Sequence, residues 1–274
     1  MNASPLNNGK LKCLAKVILF YVLFIVLLAG FSFFKSLFTE KYERLAFGIL
    51  GTAAGLLIIL IFLKAEKKTF RDAGLFFQRS TLLKFLAGAA AGILIMGTVT
   101  LLVVFFSGLK IESNPKGSLL AFLLATAPLI PLAFMEELPT RGYALTALRE
   151  NFGIRSSVLI TAVLFACLHI FYGWSVQSSI LGPGIMGILF AVGALYSGGI
   201  ALPTGMHYAF NLTTSAFAVT GQSFNLWILK NANGQSLENY QQPLPATLLP
   251  QVFLLAGGLL LLELYARRYN NSSR

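Results

Sequence analysis

Charge is scarce in this sequence. Only 11% of its 274 residues are Asp, Glu, Lys or Arg, while 56% are hydrophobic, a balance that an ordinary water-soluble domain of this length does not show. Lipid must therefore be the solvent for most of the chain. Acidic side chains are scarcer still, ten against 21 Lys and Arg. A net charge of +11 would suggest nucleic acid in a soluble protein. Here the basic residues lie between apolar runs, where they set topology and meet anionic lipid, and no nucleic-acid partner is expected. Two cysteines, Cys13 and Cys167, are far apart and imply no disulfide framework; each reads as a small hydrophobe. Histidine is nearly absent, with His169 and His207 the only two.

Long apolar runs are abundant. They fall at about 14–34, 45–63, 82–106, 118–138, 156–172, 180–197, 200–220 and 247–266, each near the roughly 20 residues that a bilayer requires. Unbroken runs of this length select helices over a barrel, whose strands alternate over about ten residues. The expected fold class is all-α, a polytopic integral membrane protein of about eight transmembrane helices, with residues 1–274 as a single membrane domain. The first run is too long for the apolar stretch of a signal peptide and reads as the first span. With the N-terminus inside, most basic residues fall on the inner side: Lys10 to Lys16, Lys64 to Lys84, Arg141 to Arg155, and Arg267 to Arg274. The outer side receives Lys35, Lys41, Arg44, Lys110, Lys116 and Lys230. This asymmetry predicts that both termini are cytoplasmic, and the expected setting is a bacterial inner membrane. Gly51/Gly55 and Gly88/Gly92 have the spacing that lets helix backbones pack closely. A polar stretch at 221–246 is the longest extramembrane loop, read as a connector more than a lid.

Most acidic residues fall between the runs, but Glu136 and Glu137 lie at the edge of one. An ionisable group in the membrane costs on the order of 3 kcal/mol or more and marks function by default. Both histidines also sit inside apolar runs. Glu137 and Arg141 are four apart with the acid first, the favourable order for a helical ion pair, so Arg141 neutralises Glu137 and Glu136 stays free for chemistry. Phe165 and His169 share one helix face, as do His207 and Asn211. A Glu and a His can together deprotonate a water for attack on a carbonyl, while a His and an Asn can hydrogen-bond the developing oxyanion.

These residues resemble the three motifs of the CPBP family, the CAAX-protease and bacteriocin-processing (Abi) intramembrane glutamic endopeptidases that include type II CAAX-prenyl endopeptidases. The first is Glu136, Glu137 and Arg141, followed by Gly142; the second is Phe165 and His169; the third is His207 and Asn211. The resemblance covers roughly residues 118–220. It implies that Glu136 and His169 activate water and that His207 and Asn211 hold the oxyanion. Glu137, Arg141 and Phe165 support the site, and the substrate is a peptide or protein at the membrane. Thr140, preceded by Pro139, stands where an aromatic residue is common, and Pro139 is expected to kink the helix.

Alternatives stay open. No cofactor is expected, and zinc is the less favoured option because no helical His-Glu-x-x-His pattern is present. A non-catalytic binding or immunity protein, or a transporter, can use the same buried polar cluster. Oligomeric state is not legible. Depth poses a conflict: if the fourth span ends near Leu138, Glu136 lies at the inner face and His169 near the outer one. The conflict eases if the embedded helix begins near Pro128 and Pro131 and runs on toward Arg149.

Overall fold

A computed structural model describes residues 8–35, 37–218, 224–231, 237 and 242–272. Three long helices open the chain: α1 (Asn8–Lys35), α2 (Glu40–Ala65) and α3 (Thr81–Ser107). A short strand β1 (Lys110–Ser113) leads to α4 (Leu119–Thr126) and α5 (Leu129–Glu137). A π-helical turn at Leu138–Ala144 passes directly into α6 (Leu145–Phe171). After α7 (Val176–Ser179) and a second π-helical turn at Ile180–Gly184 come α8 (Ile185–Ser197), α9 (Ala201–Ala216), strands β2 (Phe217–Ala218) and β3 (Trp227–Lys230), and α10 (Leu244–Ser272).

The chain is a multi-pass, all-α membrane protein. Each of the eight apolar runs is helical for most of its length, but among the described residues six helices are long and apolar enough to cross a bilayer. The count of eight is not reached by that measure for two physical reasons. The runs at 118–138 and 156–172 fall on one helical stretch, Leu119–Phe171, and α9 stops after Ala216, where the chain turns extended into β2.

That long stretch resolves the depth conflict. The helix begins after Pro128 and continues through the π-helical turn to Gly153, whose φ of 73° and ψ of 178° break it. Only glycine adopts this backbone readily. The fourth span therefore does not end at Leu138. Glu136 lies 17 residues before Gly153 and His169 lies 16 after it. At about 1.5 Å per residue both are about 24–26 Å from that turn, at nearly the same depth.

Helices that lose no water on meeting gain little from apolar contact alone, so close backbone approach matters more than in a soluble core. In the contact of α3 with α9, a Cβ on Gly88 would lie 2.0 Å from the Leu202 carbonyl oxygen, and one on Gly205 the same distance from that of Phe85. Gly92 meets Ala209 and Met206 in the same seam, so the second small-residue pair packs within the monomer. Apolar side chains that cover the outside, such as Phe105 at 77% exposure and Leu94 at 72%, face lipid.

The two ends of the bundle differ. At the Gly153 end Lys16 pairs with Glu66 at 3.0 Å, Lys68 with Glu150 at 2.8 Å and Arg155 with Glu263 at 2.8 Å. Glu263, within the last apolar run, is thus held by Arg155 and by Arg267. At the opposite end a small sheet of order β1-β3-β2 joins Lys110 to Lys230 and Phe217 to Trp227. The sequence reading missed this sheet, which draws on part of the 221–246 segment; residues 221–223, 232–236 and 238–241 of that segment lie outside the described residues. Cys13 is buried and Cys167 exposed, both as free thiols.

Candidate active site

Pro139 has no N–H to offer Met135, and the chain widens here into the π-helical turn rather than continuing as α-helix. Such turns are frequent at functional sites. The turn sets Glu136 and Glu137 at its entrance and Arg141 within it. The Thr140 hydroxyl donates to the Glu136 carbonyl at 2.8 Å. With its single proton so used, it accepts from the Tyr21 phenol of α1 at 2.5 Å. The departure from an aromatic residue at position 140 is thereby matched by an aromatic arriving from another helix.

Glu137 and Arg141 are fully enclosed, with side chains at 0% exposure and 3.1 Å between Nη1 and Oε1. The second Nη of Arg141 donates to the Gly187 carbonyl at 3.1 Å. Its guanidinium sits 4.3 Å from the centre of the Phe165 ring and 5.4 Å from that of Phe190, a cation–π arrangement that gains strength when dry. The same Glu137 oxygen accepts from His207 Nδ1 at 3.0 Å. This carboxylate fixes the His207 ring, which also stacks on Phe190 at 4.9 Å.

Glu136 occupies the open side of this cluster. Its Oε2 is buried without a hydrogen-bond partner among the described residues, and lies 3.7 Å from His207 Nε2 and 4.0 Å from His169 Nε2. His169 Nδ1 is 3.0 Å from the Phe165 carbonyl. A carbonyl only accepts, so Nδ1 carries the proton and Nε2 presents a lone pair in the neutral ring. Trp174 and Tyr172 stand edge-on to His169 at 5.3 and 5.6 Å.

Six of the seven motif residues thus come together from three helical segments: Glu136, Glu137, Arg141, Phe165, His169 and His207. Asn211 lies one turn beyond His207 on α9, half-buried, and no hydrogen bond joins it to the others. Among the described residues no group of three or more His, Cys, Asp or Glu side chains is arranged to hold a metal ion.

The three motifs thus lie on three segments at one depth. Residues 116–213 match the family model of the Rce1-like type II CAAX prenyl endopeptidases. The Rce1-like segment contains all seven motif residues and agrees with the resemblance to the CPBP family. The likeness is to a family of CAAX endopeptidases and is confined to that segment. No curated protein and no solved structure matches the chain.

Sequence reasoning missed Tyr21, Phe190 and the Gly187 carbonyl as supports of this cluster. Tyr21 and Phe190 stand inside apolar runs like many other aromatic residues, and a backbone carbonyl carries no sequence signal. Thr140 alone had one, as a departure from the motif.

Proposed function

We propose that this chain is an intramembrane endopeptidase that hydrolyses a peptide bond of a membrane-associated protein or peptide with water activated by Glu136 and His169. The observation that carries the reading is the 4.0 Å between Glu136 Oε2 and His169 Nε2. Both atoms are acceptors, and their spacing exceeds a direct hydrogen bond. A water has two protons to give and bridges such a pair, leaving its lone pairs free to attack a carbonyl. Glu136 takes a proton as the C–O bond forms, the carbonyl becomes an oxyanion, and the tetrahedral species collapses with that proton passed to the leaving amine. No covalent intermediate is needed.

His207 and Asn211 are the proposed oxyanion donors. Because Nδ1–H of His207 is given to Glu137, the ring can donate to the oxyanion through Nε2 only as imidazolium. Glu137, Arg141 and Phe165 hold it in place. The reaction as written uses no metal.

The matched family is named for prenylated CAAX substrates, so a prenylated C-terminal peptide is the first class to offer, alongside unmodified membrane-anchored peptides. We further propose that both termini face the cytoplasm of a bacterial inner membrane and that the 221–246 segment is a connector rather than a lid. The first of these rests on the basic residues gathered at the Gly153 end.

The test uses purified protein in vesicles with quenched fluorogenic peptides of both classes. Cleavage that survives a strong chelator and is lost in Glu136→Gln supports the reading; activity that returns only with added zinc contradicts the metal-free mechanism.

A further inference from the structure

Arg71, in the turn between α2 and α3, and Arg149, one turn before Gly153, have no ion-pair partner among the described residues. Both are exposed, and both line one cavity of about 160 Å³ together with Asp72 and Thr146. Arg71 is steadied by Phe76, 5.2 Å beneath its guanidinium. Asp72 opposes an anion, but its carboxylate is turned to Thr69, accepting from the backbone N–H at 2.7 Å and from the hydroxyl at 2.8 Å. The balance of the cavity remains basic.

This cavity shares Gly74, Phe76, Gly198 and Gly199 with a second, far larger one of about 1080 Å³. At the neck between them Gly74 and Gly198 have φ of 69° and 70°, and a Cβ on Gly199 would lie 3.0 Å from the Gly74 oxygen. Lys84 also lines the large cavity, its ammonium bound to the Ser197 carbonyl at 2.7 Å and to Gln78 at 3.1 Å. Beyond that rim the lining is almost wholly apolar, with Leu57, Leu60 and Phe134 along it, and Phe77 and Leu82 outward at 86% and 64% exposure. The groove lies along the lipid-facing surface.

We propose that these two cavities are one site for a single anionic phospholipid, with its phosphate between Arg71 and Arg149 and its acyl chains in the groove. Arginine binds phosphate through paired N–H groups, and basic pockets between helices at a membrane face recognise anionic headgroups. The charge selects the headgroup, and the attached groove selects a lipid over a free anion. Arg141 also lines the small cavity, but the two ligating groups of the proposal, Arg71 and Arg149, are not used in the peptidase chemistry.

Native mass spectrometry of the full-length protein from nanodiscs tests it, with phosphatidylglycerol and phosphatidylcholine as probes. One phosphatidylglycerol per chain, held at least tenfold more strongly than phosphatidylcholine, is expected. The double variant Arg71→Gln/Arg149→Gln should weaken it by about 30-fold, from the usual contribution of two basic residues near a membrane surface. Arg71→Lys/Arg149→Lys should recover most of that loss, which separates lost charge from lost folding. Leu57→Trp should weaken both lipids alike. Equal retention of the two lipids, no change in the double Gln variant, or displacement by millimolar glycerol phosphate would each overturn the proposal.

Discussion

Glu136→Gln keeps the shape of the side chain and removes its capacity to take a proton. If Glu136 is the base, kcat should fall by about 10²–10⁴-fold with KM little changed, and His169→Ala should fall in the same range. Steady-state kinetics on any cleaved peptide decides this. Tyr21→Phe is the control: it removes one buried hydrogen bond, costing about 1 kcal/mol, and should lower thermal stability while leaving kcat within a few-fold. Arg141→Ala should behave differently again. It strands Glu137 without its cation, at about 3–5 kcal/mol, and a thermal melt should show the loss more clearly than a rate. At this scale the sequence was most informative, because ionisable groups in apolar runs announce themselves. Where a buried carboxylate is expensive, its partners can be found by spacing, as Arg141 was. Phe190 and the Gly187 carbonyl could not be, because tertiary packing alone brings α8 against Arg141.

Elements were read less well than residues. The fourth span is longer than its apolar run, because Thr140, Arg141 and Tyr143 are buried within the protein and need not be apolar. A hydropathy pattern ends where polar side chains begin; a helix ends where the backbone breaks, here at Gly153. The π-helical turn was foreshadowed only as a kink at Pro139. The sheet had no strong signal, since its strands are two to four residues long. The α3–α9 seam was legible from Gly88 and Gly92, and it carries a prediction. Gly88→Leu places a side chain where even a Cβ would be 2.0 Å from the Leu202 carbonyl, so α9 must shift and His207 with it. Loss of activity together with a polydisperse or unfolded product on size-exclusion chromatography is expected, while Gly97→Leu, with open space at its Cβ, should be silent.

For the whole molecule, composition alone was decisive for lipid as solvent and helix as the means of crossing it. The number of crossings was harder to read, because one helical stretch holds two apolar runs and α9 is short for a bilayer. The proposed orientation rests on charge. With Cys13 and Cys167 replaced by Ala, single cysteines at Lys67 and Arg268 should be labelled by an impermeant thiol reagent only after cells are opened, and one at Glu112 should be labelled in intact cells. The reverse pattern would invert the topology and move the Arg71–Arg149 cavity to the outer leaflet. Neither result bears on whether Glu136 cleaves peptides. That claim is met most directly by comparing the membrane proteomes of cells carrying the wild-type chain or Glu136→Ala, expressed and folded to the same level, and reading protein termini. New termini present only with the glutamate are predicted, and they would also name the substrate; identical termini in both would contradict proteolysis at this site.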